Sequence, residues 1–292
     1  MATSITTGQE IYSNRFLSGL TKAIAALRAF STSFTDEARE VGEYVKVPLV
    51  SADTVSAWNA TNNNFVRSAA ATKQVSVDLS NRIIAGFAIT SEQMAYFRPN
   101  WWEGKADLNV QEVANTILTA VAALVTADNF GDTADDKTSV TLGSFGRKAV
   151  AGIRAAGVKR KMIPARSALC LNPDFFSALL SDLDSQVYGG RDAIVGGVIP
   201  NLLGFTSIIE IPQLNGPGFL CHPDAIAVAT RKVPLADEGP YKLVKDITEP
   251  TSGLTMTNVI LAYGPDGSLN NSINAAYGCA VGNDGALMRL VG

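Results

Sequence analysis

The chain has 292 residues and a net charge of −3 from 24 basic and 27 acidic side chains, so it is long enough to bury a core without staples and lacks the basic excess of a direct nucleic-acid binder. Charged residues make up only 17% while hydrophobic residues hold at 47%; against a usual charged share of about 25%, the shortage falls on the surface, as in a protein covered by partners or in a β-rich extracellular one. No apolar run approaches the ~20 residues of a membrane span, and the start MATSITTGQE lacks a signal peptide's basic and apolar regions.

Residues 1–12 are polar and are expected to form an extended arm. Residues 13–30 carry Phe16, Leu20, Ile24 and Leu27 on one helical face and predict an amphipathic helix. Residues 43–50, EYVKVPLV, alternate apolar and polar and predict a strand, which Pro48 keeps out of a sheet centre. Further alternating runs follow at 74–79 and 82–90. Between the first two lies 51–73, which has no apolar period and few charges but contains Trp58 and Phe65. A connection of this length without its own structure is uncommon inside a compact domain. It reads as the tip of a protruding β-arm whose aromatics pack on a neighbour, or fold back onto their own domain.

Residues 107–130 predict the central helix. Val110, Val113, Ile117, Val121 and Leu124 recur at helical spacing, Asn109 with Glu112 reads as a capping box, and Asn129 with Gly131 offers a stop. Its other face is neutral, with Gln111, Asn115, Thr119 and Thr126 where a solvated helix usually carries charges. This reads as a spine covered on more than one side; the helix taken alone favours an ordinary buried helix of a large domain. The acidic turn 131–137 does not match a calcium loop and reads as solvated.

From residue 144 the pattern becomes an α/β module, roughly 144–235. A helix is expected at 144–156 and a buried strand at 167–171. Asn172-Pro173-Asp174 then starts a helix with a cap, a first-position proline and an acid on the positive end of the dipole. A glycine-rich loop at 186–197 and strands at 205–211 and 218–221 follow, with His222-Pro223-Asp224 leading into AIAVATR. The end of the chain is all β, at 241–247, 254–263, 268–279 and 285–290, with a turn at 264–267. The β-arm and the spine precede the module and this sheet follows it. The module is therefore inserted in, or hangs from, a platform built by the two ends.

Catalytic motifs are scarce. His222 is the only histidine and reads as a structural residue at a strand end. No nucleophile elbow, zinc-protease helix or phosphate loop is present. Asp182 and Asp184 flank an inward Leu183 and read as a solvated face. Cys170, Cys221 and Cys279 lie far apart in the sequence and read as small buried hydrophobes in a reducing compartment. No metal or cofactor is expected, which favours a structural or binding protein.

The order of these features resembles the major capsid proteins of tailed bacteriophages, over most of the chain. Four phrases carry the resemblance: LCLNPDFF at 169–176, GGVIPNLLGFTSIIEIPQL at 196–214, GFLCHPDAIAVATRKVP at 218–234 and AYGCAVGNDGALMRLV at 276–291. The resemblance implies an α+β, Hong Kong 97 phage capsid-like fold. Its parts would be an N-terminal arm and helix (1–42), an extended β-arm or E-loop with its base (43–92), a P domain with the spine helix (93–143), an A domain (144–238) and a returning β-segment of the P domain (239–292). It further implies hexamers and pentamers of an icosahedral shell around double-stranded DNA, assembled in the host cytoplasm, with a portal and a decoration protein as partners. The chain would read no nucleic-acid sequence and touch no membrane. In that family the E-loop lies over the neighbouring subunit, so Trp58, Asn62, Phe65 and Arg67 become the candidate interface residues. The stretch before Glu43 lacks the charged, heptad-rich segment of a built-in scaffold, so a separate scaffolding protein is expected. The Lys/Asn cross-link pair of some members has no assignable counterpart. An encapsulin-type compartment shell is the alternative, and a carbohydrate-binding or esterase-like protein using His222 is a third reading.

Overall fold

The computed structural model describes residues 2–49, 73–90, 92–93, 99–183, 197–236, 239–249, 253–263 and 268–292. Helix α1 (Ala2–Ala23) runs into a 3-10 turn, Ile24–Ala29. Strands β1 (Ser31–Ala38), β2 (Tyr44–Leu49), β3 (Lys73–Asp78) and β4 (Asn81–Ile89) precede the long helix α2 (Pro99–Leu124). Then come β5 (Lys137–Ser139), α3 (Arg147–Lys159), β6 (Ala168–Leu171), α4 (Pro173–Asp182), β7 (Val198–Pro200), β8 (Ser207–Glu210), β9 (Gly218–Cys221) and β10 (Ile226–Lys232). The last strands are β11 (Tyr241–Thr248), β12 (Thr255–Tyr263), β13 (Ser268–Val281) and β14 (Leu287–Val291).

The first six-stranded sheet is organised on β13. Strand β4 pairs along one edge of β13, while β12 and then β10 take successive parts of the other edge. Strand β11 adds to β12, and β1 adds in parallel to β10. A strand paired on both edges must be free of proline, as β13 is. It is also covered on both faces: Leu269, Ile273 and Ala275 join the core under the helices, while Ala276 joins a separate cluster on the opposite face.

Helices α1 and α2 lie together on that sheet. Tyr12, Phe16 and Leu20 of α1 and Val110, Val113, Ile117 and Val121 of α2 share one core. Gly19 lets the helices approach, since a Cβ there would sit 3.3 Å from Val110 Cγ2. Three expectations are corrected here. The polar start is helical, not an extended arm, and the helix expected over 13–30 gives way to a 3-10 turn at Ile24. Buried Gln9, Tyr12 and Ser13 carry α1 back past residue 13 through tertiary contact that sequence periodicity does not register. The spine begins at Pro99, where a missing N–H costs nothing. Asn109 is therefore no cap; its Nδ2 donates to Tyr12 Oη at 2.7 Å and locks the two helices together. Downstream, Asn129 Nδ2 donates to the carbonyl of Leu124 at 2.8 Å, and Gly131 at φ 79° closes the short helix Ala127–Phe130.

The second six-stranded sheet has the order β5-β14-β9-β6-β8-β7. Leu169, Leu171, Ile208 and Leu220 pack there with Val150 and Ile153 of α3 and Phe175, Phe176 and Leu179 of α4. Asn172 caps α4 as its sequence predicts, with Oδ1 accepting from Phe175 N at 3.0 Å. This sheet draws β5 and β14 from outside residues 144–235, while β10, from inside that span, runs in the first sheet. Residues 186–196 of the glycine-rich loop and the 264–267 turn lie outside the described residues, although Tyr263 pairs with Ser268.

Candidate assembly surface

The β-arm is rooted in the two-stranded ribbon of β2 and β3. Val45, Val47 and Leu49 alternate inward on β2, and Val45 and Val47 meet Val77 and Leu79. Together they cover Ala227, Ala229 and Ala276 on the face of the first sheet opposite the helices. Each buried aliphatic side chain contributes about 1.5–3 kcal/mol, so the root is held firmly. Small residues beneath it permit close approach, and at Gly278 any Cβ would collide with the main chain of Asp78. Pro48 is tolerated because the ribbon has only two strands. Lys73 Nζ donates to the carbonyl of Gly282 at 3.2 Å and fixes the point where the chain returns. The tip itself, with Trp58, Asn62, Phe65 and Arg67, lies outside the described residues.

The spine's neutral row faces outward. α1 and the sheet cover its apolar flanks, while Gln111, Asn115 and Thr119 remain exposed in the single chain. Asn115 Oδ1 accepts from Gln213 Nε2 at 2.7 Å, which links the spine to the second sheet's body. Large apolar side chains also stand in solvent: Tyr44 at the ribbon root, Ile84 on β4 and Leu108 on α2 are 68%, 62% and 60% exposed. Sequence reading singled out none of these three. The signal for Ile84 was present, since adjacent Ile83 and Ile84 in a strand must point to opposite faces.

The charged clusters are structural. The acidic turn is solvated as expected, with residues 132–135 exposed, and it also acts as a clasp. Asp132 accepts from Lys137 Nζ at 2.9 Å and from Arg289, while Asp136 accepts from Thr133 Oγ1 at 2.6 Å and from Arg160 at 3.1 Å. The Lys137 hydrogen bond chiefly, with that of Arg289, holds the Asp132 carboxyl below the usual aspartate range. Thr133 chiefly does the same for Asp136. Asp182 is likewise not merely solvated: its Oδ2 accepts from Arg147 N at 2.7 Å, capping α3 where Gly146 has no side chain to do so. Asp184 lies outside the described residues.

His222 opens the turn Pro223–Ala225, with Nδ1 2.9 Å from Asp224 Oδ2. Burial lowers its pKa against the opposing pull of Asp224, and Nδ1 also lies 3.5 Å from Asp224 N. Among the described residues no hydroxyl or thiol hydrogen-bonds to it. Cys170 and Cys221 are neighbours in space despite their separation in sequence, on paired strands β6 and β9 and offset by two positions. Burial pushes the Cys170 thiol well up and that of Cys279 to about 12, so neither offers the thiolate a nucleophile requires. The described residues contain no group of three His, Cys, Asp or Glu side chains placed to hold a metal, and no helix among them is long and apolar enough to cross a membrane.

No family model and no curated protein sequence matches the chain. Solved structures do. A virus-like particle from Pyrococcus furiosus matches with a TM-score of 0.54 at 11% identity, covering 96% of this chain and 97% of that one. The capsid of Ralstonia phage GP4 matches with a TM-score of 0.51 at 8% identity, covering 87% and 82%. The chain therefore has the α+β fold of shell subunits, as the sequence resemblance implied.

Proposed function

We propose that this chain is the major capsid protein of a tailed phage, building an icosahedral shell of hexamers and pentamers around double-stranded DNA in the host cytoplasm. One observation carries the reading: nearly the whole chain follows the fold of shell subunits, end to end. The surface agrees with it. A firmly rooted β-ribbon leads to a neutral tip, and the spine presents an uncharged row where a partner-free helix would carry charge. Low net charge suits a shell that contains DNA without neutralising it. In this reading residues 43–92 form the E-loop and its base, with Trp58, Asn62, Phe65 and Arg67 lying over the neighbouring subunit. Residues 144–238 form the A domain and point to the capsomer axis. Residues 1–42 form the arm, and 93–143 with 239–292 form the P domain. The role is structural rather than enzymatic, and a portal and a separate scaffolding protein complete the particle.

Sedimentation velocity on the purified chain tests this. Hexamers, pentamers or larger shells are expected, and a monomer of 30.8 kDa at all concentrations would refute it. An encapsulin-type shell is the second reading, favoured by the near-complete coverage of the virus-like particle. Particles from the native source distinguish the two: nuclease-protected DNA indicates a phage and enclosed protein indicates a compartment.

A further inference from the structure

The first sheet ends in strands of different character. β11 carries Lys242, Lys245 and Asp246, and β1 carries Asp36 and Glu37. Charges of this kind guard a free edge against pairing with another chain. β4 reads NRIIAGFAI, with Arg82 as its only charge. Among the described residues no strand and no backbone hydrogen bond occupies its outer edge. Arg82, Ile84, Gly86 and Ala88 form its exposed face. An edge that is apolar from Ile83 to Ile89, with its one charge at the end, is a template for an added strand.

We propose that this edge pairs with β4 of a second copy, antiparallel across a two-fold axis, so that two sheets become one. A two-fold contact uses the same patch twice, so the strand must complement itself. It does so in one register, centred on Ala85, which pairs all nine residues from Asn81 against Ile89. Ile84 then stands opposite Gly86 of the second copy, and Arg82 opposite Ala88. Each long exposed side chain meets one that is short or absent. A centre at Ile84 would set that side chain against itself, and a centre at Gly86 would leave Asn81 beyond the paired run. In the chosen register the helix-side residues Ile83 and Phe87 also face each other, extending the apolar cover beneath the sheet. The contact goes beyond the shell reading, because it requires only two copies.

Charge at position 88 tests the register. Ala88 is exposed, so a polar replacement leaves the fold intact, which circular dichroism checks. In the paired strands Ala88→Lys sets like charges opposite Arg82 twice, and Ala88→Glu sets opposite charges there twice. From cross-strand pair strengths, association should weaken roughly five- to tenfold in the first and tighten by a similar factor in the second. The double variant Arg82→Glu with Ala88→Lys should restore association. Lys245→Glu on β11 should leave it unchanged. Concentration-dependent sedimentation velocity at low salt reads all four. Equal effects of Ala88→Lys and Ala88→Glu, or none, would overturn the proposal even where shells still form. Two-fold pairs with the expected charge dependence but no larger particles would uphold it and refute the shell reading. A monomer at every concentration would overturn both.

Discussion

Individual residues in this chain mostly serve to bind one element to another. Asp132 and Asp136 join the turn after the spine to β14 and α3 through Arg289 and Arg160. Their pKa values lie below the ordinary aspartate value of about 3.9. The stability they bring is therefore present above that value and lost as the pH falls through the lower folded one. Asp136→Asn should lower stability at pH 7 and flatten its decline in acid. Denaturant midpoints measured from pH 7 to pH 2 check this, and parallel curves for both proteins would contradict it. His222 has the sign of a buried base. Its folded pKa lies below the ordinary 6.5, so its contribution is complete above that value and is lost as the pH falls through the folded one. The same residue scale explains the cysteines. Wide spacing in sequence placed Cys170 and Cys221 apart, yet strand pairing makes them neighbours, and pairing is a property no local pattern carries.

At the scale of elements, caps and buried aromatics can be ranked. Asn172→Ala should cost about 1 kcal/mol, since it removes the bond to Phe175 N. Phe16→Ala empties a fully buried position between α1 and α2 and should cost about 3–5 kcal/mol. The Arg15–Asp107 pair joins the same helices at 2.8 Å but lies in solvent, so Asp107→Ala should change stability little. Thermal unfolding of the three variants gives the order, and an Asp107 variant as damaged as the Phe16 one would refute the ranking. The elements legible from sequence were those with a strong local signal: the alternation of β2, the cap and proline of α4, the apolar stripe of α2. β1, β5 and β7 were missed because their burial is set by a neighbour: β1 shows no alternation, and β5 and β7 are three residues long. The first half of α1 was missed for the related reason that its polar residues are buried by tertiary docking. Of the candidate surface, the ribbon root and the neutral spine row were legible. The edge of β4 that no described residue pairs with was not, because alternation identifies a strand without saying which of its edges is paired.

For the whole molecule, β13 is the strand that joins early and late segments of the chain, with β4 on one edge and β12 and β10 on the other. The ribbon root crosses its outer face and the helices cover its inner one. In the proposed shell, a subunit built this way would hold its own core and leave the arm and the spine row for neighbours. Replacing Trp58 and Phe65 together by Ala should therefore weaken assembly and leave the circular dichroism of the single chain intact. Loss of the fold would place those aromatics in the subunit's own core. Expressed alone, the chain should give capsomers or irregular shells, since repeated weak contacts do not fix curvature without a scaffolding partner; uniform closed particles would favour the encapsulin-type reading. The most direct test is cryo-electron microscopy of the assembled protein at a resolution that traces the chain. The account predicts rings of six and five subunits, with residues 51–72 lying over the adjacent subunit. Subunits that remain single, or that assemble with that segment folded on its own body, would contradict it.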